Sequence, residues 1–316
     1  MRPASIISLV IAVLLIVVGL VSCFVAQNMA TSNGEYLFAE DRGSDYVNTV
    51  DLTDSEISKI ELIASKVQVN IYGRQEKSYI EFINFKENYY SLSNANRVLS
   101  FDEIPDIKSM LKFWENGFSF KGMRYIFNFN NTVDESRDKV INIYLANDKE
   151  IKIFDIKSDD LVLNVNGMTT GSDYNITTKN AIINGETVKT SSTFNINMNE
   201  ATAPAEKVDL TFKTAFIKYV NINADELNMN TDRFRCSGKV DISCKSGNIS
   251  IGNVYEPNAL TLDLTSTNGN IFIEGESAAN PYKHTPTESS QGEMIIKSES
   301  SDITVFRSTA SEQSEP

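Results

Sequence analysis

One histidine, three cysteines and a surplus of carboxylates are the residues of this 316-residue chain whose types could do chemistry. His284 could serve as a general base only beside a fixed partner in a pocket. It lies in Asn280-Pro281-Tyr282-Lys283-His284-Thr285-Pro286, a proline-framed stretch that reads as loop, so the imidazole is expected in solvent. Acidic pairs such as Asp159-Asp160 and Asp225-Glu226 could supply the two carboxyls of a glycoside-cleaving centre, but an acidic chain holds such pairs by chance. The sequence has no Gly-x-Ser-x-Gly elbow, no phosphate-cradling glycine loop and no dinucleotide fingerprint. No cluster joins a nucleophile to a base, so the expectation is no catalytic residue, no cofactor and no enzyme.

The cysteines offer two readings each. Leu20-Val21-Ser22-Cys23 resembles a bacterial lipobox, in which Cys23 would carry a lipid, although Phe24-Val25-Ala26 continues the apolar run beyond it. Cys236 and Cys244 could pair in an oxidising compartment. They also suit the core, because Val240, Ile242 and Cys244 share one face of a strand by alternation. With no Cys-x-x-Cys and no His/Cys cluster, no metal is expected.

What positions these residues begins with a membrane segment. Arg2 precedes an apolar run from Ile6 to Ala26 broken only by Ser8, Gly19 and Ser22. That is about the 20 residues a helix needs to cross a bilayer. The first charges after it are Glu35, Glu40 and Asp41, so the remainder is placed outside the cell membrane. Residues 1–27 are thus a transmembrane helix or signal segment, with the lipoprotein anchor at Cys23 as the alternative. Residues 28–54 read as a polar spacer. A net charge of −13 disfavours nucleic acid as partner.

Residues 55–307 carry the strand signal and 308–316 a polar, disordered tail. Val67-Gln68-Val69-Asn70-Ile71-Tyr72 and Val140-Ile141-Asn142-Ile143-Tyr144-Leu145 alternate as half-buried strands do. From Ile104 to Trp114 the apolar spacing changes to three and four. Pro105 and Asp106 suit a helix start and Gly117 its stop, so one short helix is expected there.

A phrase then recurs: a Ser/Thr-Gly/Asp-Asn/Asp step followed by alternating aliphatics. It reads Ser246-Gly247-Asn248-Ile249-Ser250-Ile251, Asn268-Gly269-Asn270-Ile271-Phe272-Ile273 and Ser301-Asp302-Ile303-Thr304-Val305. Weaker copies start at Ser158 and Ser237. Each joins corner chemistry to a period-two strand. Gly247 and Gly269 lie 22 residues apart, which sets the expected rung. Gly269 and Ser301 lie 32 apart, and the excess falls in a Pro/Ser/Thr-rich insert, Ser277–Ser290. The fold class predicted is all-β: a parallel β-solenoid of stacked strands from about Val140 to Phe306. Ile249, Ile251, Ile271, Ile273, Ile303 and Val305 should point inward, and Asn180, Asn248 and Asn270 should form ladders at the corners.

At these residues the chain resembles the bacterial putative-adhesin family of unknown function built from β-strand repeats. The matching stretches are Val140–Leu145 with Ile151–Val165, Phe234–Gly275 and Glu293–Phe306, within a span from Ile57 to Phe306. Asp159 and Ser301 depart from it where the phrase has its corner glycine. The resemblance implies an extracytoplasmic β-solenoid, in some members linked to envelope stress, and is nearly silent on activity. The function expected is a non-enzymatic, membrane-tethered envelope interaction module whose partner is an envelope protein or polysaccharide. A solenoid enzyme acting on envelope glycans is the competing class. Tyr282 and Lys283, the largest side chains of the insert, are the candidate contact residues.

Overall fold

The computed structural model describes residues 47–53, 55–85, 90–103, 138–168, 172–186, 195–198, 204–254, 260–286, 290 and 292–307. The expected membrane segment with Cys23, the helix at 104–114 and the tail lie outside them. Every described element is a strand, so no described helix is long and apolar enough to cross a membrane. The chain opens with β1 (Val47–Asp51), β2 (Lys59–Gln75), β3 (Tyr79–Ile83), β4 (Tyr90–Ala95), β5 (Val98–Glu103) and β6 (Val140–Ala146). Then come β7 (Ile153–Asn166), β8 (Asp173–Gly185), β9 (Asn195–Met198) and β10 (Ala205–Val254). It closes with β11 (Leu260–Ser266), β12 (Ile271–Ile273), β13 (Glu276–Ser277), β14 (Tyr282–His284), β15 (Gly292–Ser298) and β16 (Asp302–Arg307). Of the stretch read as spacer, Val47–Asp51 is therefore strand, and Leu52 beside it is fully buried.

The fold is all-β and its sheet is mixed, which corrects the expectation of a wholly parallel stack. Parallel ladders run through the middle: β2 on β7, β7 on β8, β8 on β9 and β10, and β10 on β15 and β16. Antiparallel strands lie at both margins. β3 pairs with β6 and β1 with β3 at one end, beside β4 on β5. At the other end β14 pairs with β11, and β13 with β12. The reason is the edge. A bare parallel strand leaves a row of unpaired amides and carbonyls, and short antiparallel strands cover it.

Alternation fixes which side chains go in. Along the ladder Ile60 opposes Phe154 and Phe154 opposes Tyr174, while Val69, Leu163, Ile183 and Leu210 form a second inward row. All seven are at most 1% exposed. Each such burial contributes about 1.5–3 kcal/mol before the entropy of ordering is subtracted. Ile249, Ile251, Ile303 and Val305 are fully buried, with Ile271 and Ile273 close behind. Cys236 and Cys244 are both free and buried, in line with the core reading.

Corners repeat a small inward residue. Ala64, Ser158 and Thr178 stand in register at one end, and Cys244, Ser298 and Ser266 at the other. The hydroxyls close the turn. Ser158 Oγ donates to the carbonyl of Asp160 at 2.8 Å, and Thr178 Oγ1 to that of Asn180 at 2.7 Å. Ser266 Oγ donates to the Ser301 carbonyl at 2.6 Å and accepts from Gly269 N at 3.1 Å. The rungs meet so closely there that a Cβ on Gly247, whose φ is +131°, would stand 1.9 Å from the Leu227 carbonyl oxygen. Only glycine fits.

Rung order departs from chain order at both ends. β16 lies between β10 and β12: Ile249 opposes Ile303, and Ile303 opposes Ile271. The 22-residue spacing of Gly247 and Gly269 therefore does not join neighbouring rungs. The final strands are inserted between them, and the insert after Gly275 supplies the chain needed to return. At the other end β2 sits between β5 and β6 on one side and β7 on the other. Here the covering elements are aromatic. Phe101 of β5 stacks on Phe82 at 4.8 Å and on Tyr90 at 5.1 Å, with Phe85 edge-on at 4.8 Å. Strands and rings thus cover this end.

Candidate functional site: a tyrosine and asparagine face

On the outer face of β3, β6, β2, β7 and β8, polar side chains join into one line. Asn184 Nδ2 donates to Asn164 Oδ1 at 3.0 Å, and Asn164 Nδ2 to Asn70 Oδ1 at 2.7 Å. Asn70 Nδ2 donates to Asn142 Oδ1 at 2.8 Å, and Asn142 Nδ2 to Glu81 Oε2 at 3.2 Å. Gln68 Nε2 adds a second donor to Asn70 Oδ1 at 3.0 Å. Parallel register makes this possible, since Asn70, Asn142, Asn164 and Asn184 oppose one another across the ladder. Each bond contributes about 1 kcal/mol net. The line also has a direction: every amide donates toward β3, where a carboxylate that can only accept ends it.

Two positions along from the amide line on β2, β6 and β3 stands a column of rings. Tyr72 stacks on Tyr144 at 5.1 Å, and Tyr144 on Tyr79 at 4.4 Å, with interplanar angles of 20° and 18°. Tyr144 OH donates to Glu81 Oε2 at 3.3 Å, which couples the two columns. Burial first, then the Glu81 charge, pushes the Tyr144 phenol up to about 12. Beside the amide line runs an apolar row of Ile83, Val140, Val162 and Ile182, interrupted by Gln68. Ile182 is 45% exposed. Within the amide line Glu81 is the one charged side chain among the described residues, and Asp51 on β1 and Glu186 just past β8 flank the ring column.

The residues singled out from the sequence do not gather here. Asp159 is held by Lys179 at 2.7 Å, and Asp160 Oδ1 accepts from Asn180 at 2.9 Å. Asp225 pairs with Lys245 at 2.8 Å and Glu226 with Lys207 at 2.9 Å. Hydrogen bonding from Lys207 holds the Glu226 carboxyl below its ordinary range. These carboxylates sit in separate surface pairs and do not converge. Of the expected corner ladder, Asn180 and Asn270 bond to the aspartates Asp160 and Asp302 of adjacent rungs, not to each other.

The insert is not a free loop. β14 lies antiparallel on β11, with Asp263 opposite Lys283 and Leu264 opposite Tyr282. Tyr282 is half-buried against the core, and Lys283 is tied to Asp263 at 3.1 Å. Asn280 anchors the approach by donating to the Ser266 and Gly269 carbonyls. His284, expected in solvent, opposes Leu262 and is half-buried. Alternation on a margin strand sends Tyr282 and His284 inward and leaves Lys283 outside.

The tyrosine and asparagine columns escaped a reading that followed inward residues and corners. Their signal was present in an identical tripeptide at the same strand position twice: Asn70-Ile71-Tyr72 and Asn142-Ile143-Tyr144.

No family model and no curated protein matches the chain. Among solved structures it is similar to a "putative cell adhesion protein" from Clostridium sporogenes, at 13% identity and a TM-score of 0.28, over 84% of this chain and 99% of that one. A "putative adhesin" from Bacteroides fragilis matches at 11% identity and a TM-score of 0.26, over 83% and 98%. A "putative lipid binding protein" from Parabacteroides distasonis matches at 11% and 0.25, over 84% and 95%. Values this low carry no argument about fold or function. The reading below therefore rests on the residues.

Proposed function

We propose that this chain is a non-enzymatic, adhesin-like interaction module, tethered by its N-terminal segment and displayed outside the cell membrane as a β-solenoid. The observation that carries the binding role is the face of asparagines and tyrosines. Amide line and ring stack hold its polar groups in one geometry, so a partner meets a surface already ordered, and little entropy is lost on contact. The acidic pairs weighed as catalytic are tied to separate lysines and, at Asp160, to an asparagine, which favours binding over cleavage. Parallel ladders between margin strands support the solenoid, and the apolar run from Ile6 to Ala26 supports the tether.

Co-sedimentation of the full chain with isolated cell envelopes tests this. The chain should pellet with the envelopes, and Ile182→Glu with Val162→Glu, which place charge on the face, should abolish that. Equal pelleting of the folded double variant would remove the face as the binding surface. Protease shaving of intact cells should release the strand region. Recovery of the whole chain from the cytosol would reject the tether.

A further inference from the structure

The geometry points to an uncharged polysaccharide as the ligand of this face, lying across the strands along the tyrosine and asparagine columns. This inference rests on the binding-module reading above. It starts from valence. A primary amide has two N–H groups and two acceptor positions, and the line uses one donor each on Asn142, Asn164 and Asn184. One N–H on each is left over from the line. Sugar hydroxyls, which both donate and accept, are matched by groups of that mixed kind. Asn70 differs: at 6% exposed, and accepting from both Gln68 and Asn164, it braces the line from below.

Shape comes next. The columns repeat at the strand spacing of about 4.8 Å. A repeating row suits a repeating ligand, and the flat outer side of a sheet encloses nothing small. The rings supply an apolar partner for the C–H face of a pyranose. Tyr144 is covered on both sides in the stack, and Tyr72 ends it on one side, where Asn166 of β7 is its neighbour. Tyr79 ends it on the other, and on β1 its neighbour is the short, exposed Asp51. Among the described residues no other ring stacks on its outer side.

Charge then selects among polymers. Glu81 is the one charge in the amide line, where it already accepts from Asn142 and Tyr144, and Asp51 adds a second carboxylate beside Tyr79. A polyanion would meet that carboxylate on a chain of net charge −13 and find no cation in these columns. A polycation would be drawn instead to the acidic remainder of the surface. A neutral chain of hydroxyls is the class left by both considerations.

The test is a glycan array of neutral and acidic oligosaccharides probed with the full chain. Affinity electrophoresis in gels containing mixed-linkage β-glucan, arabinoxylan or polygalacturonate follows it. Neutral glycans should bind and neutral polymers should retard the protein, with polygalacturonate inert. Tyr79→Ala should weaken retardation roughly tenfold, the scale of one lost ring contact with its hydroxyl. Asn184→Ala, at the exposed end of the line, should weaken it less, and it keeps the test open should Tyr79→Ala misfold. Circular dichroism and a cooperative melt establish folding in each case. Absence of any neutral glycan signal from the folded protein overturns the inference, as does preference for acidic glycans or unchanged retardation in both variants. If envelope pelleting persists and is lost in the charged double variant while no neutral glycan binds, the module stands and its ligand is of another class. If pelleting ignores that variant too, both readings fall.

Discussion

In the N-terminal half one outer face is joined by hydrogen bonds between uncharged groups, its ion pairs such as Lys59–Asp155 and Lys179–Asp159 standing off that face, whereas the outer surface of the C-terminal half is joined by ion pairs. In the first, four asparagines and three tyrosines lock across five strands around a single carboxylate. In the second, Lys207–Glu226, Lys239–Asp241, Lys245–Asp225 and Lys283–Asp263 pair at 2.7–3.1 Å. Both halves stack the same kind of rung on the same kind of apolar row. The core therefore leaves the outer face free, and what is placed there is available for another purpose. An amide line is insensitive to salt and fixes its members in one geometry. A lysine pair is screened, and its long side chains keep their freedom. The ion-paired surface is therefore the looser of the two, and the amide line is the one that holds a pattern.

The comparison fails first if the two halves do not share one core. Ile303 is fully buried on the strand inserted between β10 and β12. Ile303→Asp would leave a carboxylate without a partner there and should cost about 4 kcal/mol or more, measured by urea denaturation. If the strands order as described, the loss appears in a single transition that includes β10. A change confined to the last residues, with the main transition unmoved, would mean that β16 is a margin strand. A smaller loss tests the amide line. Asn70→Ala removes its bonds to Asn142, Asn164 and Gln68 and should cost about 1–3 kcal/mol. Asn184→Ala, at the exposed end, should cost under about 1 kcal/mol. Equal costs at the two sites would show that the line is not a connected unit.

Much of the fold was legible because alternation and corner chemistry are local. Ile249, Ile271 and Ile303 read as inward from their own neighbours, and the serines and glycines of the corner phrase announced each turn. Rung order was not legible. A phrase repeating every 22 residues says that strands stack, but the pairing of Ile303 between Ile249 and Ile271 depends on which free edge the returning chain meets. Margin strands fail for a related reason. Tyr282-Lys283-His284 has loop composition and becomes a strand only because β11 offers it an edge. The face was half legible. Asn70 and Tyr72 share one side of a strand by simple counting, yet their meeting with Asn142 and Tyr144 needs β2 and β6, seventy-two residues apart, to lie in register.

Alkaline titration sharpens the same contrast with a smaller effect. The Tyr144 phenol is raised to about 12, so the folded state holds its proton more tightly than the unfolded chain, whose tyrosines titrate near 10. Its contribution is complete below about pH 10 and is lost as pH rises from there through about 12. Tyr174, buried and raised further, loses stability in the same direction, so the total slope belongs to neither residue alone. The difference between the parent and Tyr144→Phe isolates one of them. The variant should lose less stability over that window, followed by denaturant midpoints at stepped pH. Identical slopes would mean that Glu81 and burial do not hold the Tyr144 proton as described.

The smallest effect belongs to the ion-paired half, and its smallness is the point. Donation from Lys207 lowers the Glu226 carboxyl, and the same hydrogen bond to Glu226 raises Lys207, but both groups lie at the surface. Such a pair adds stability above the ordinary carboxylate range and loses it as pH falls through the lowered value. Solvent and salt screen most of it. Lys207→Met should therefore shift the melting midpoint by no more than the scatter between repeats, and raising salt from 0.05 M to 1 M should erase even that. Asn164→Ala in the amide line, measured beside it, should keep its full cost at 1 M salt, because no net charge takes part in its bond to Asn70. A large, salt-sensitive loss in Lys207→Met would reverse the comparison. The charged half would then be the one whose outer surface holds the rungs together.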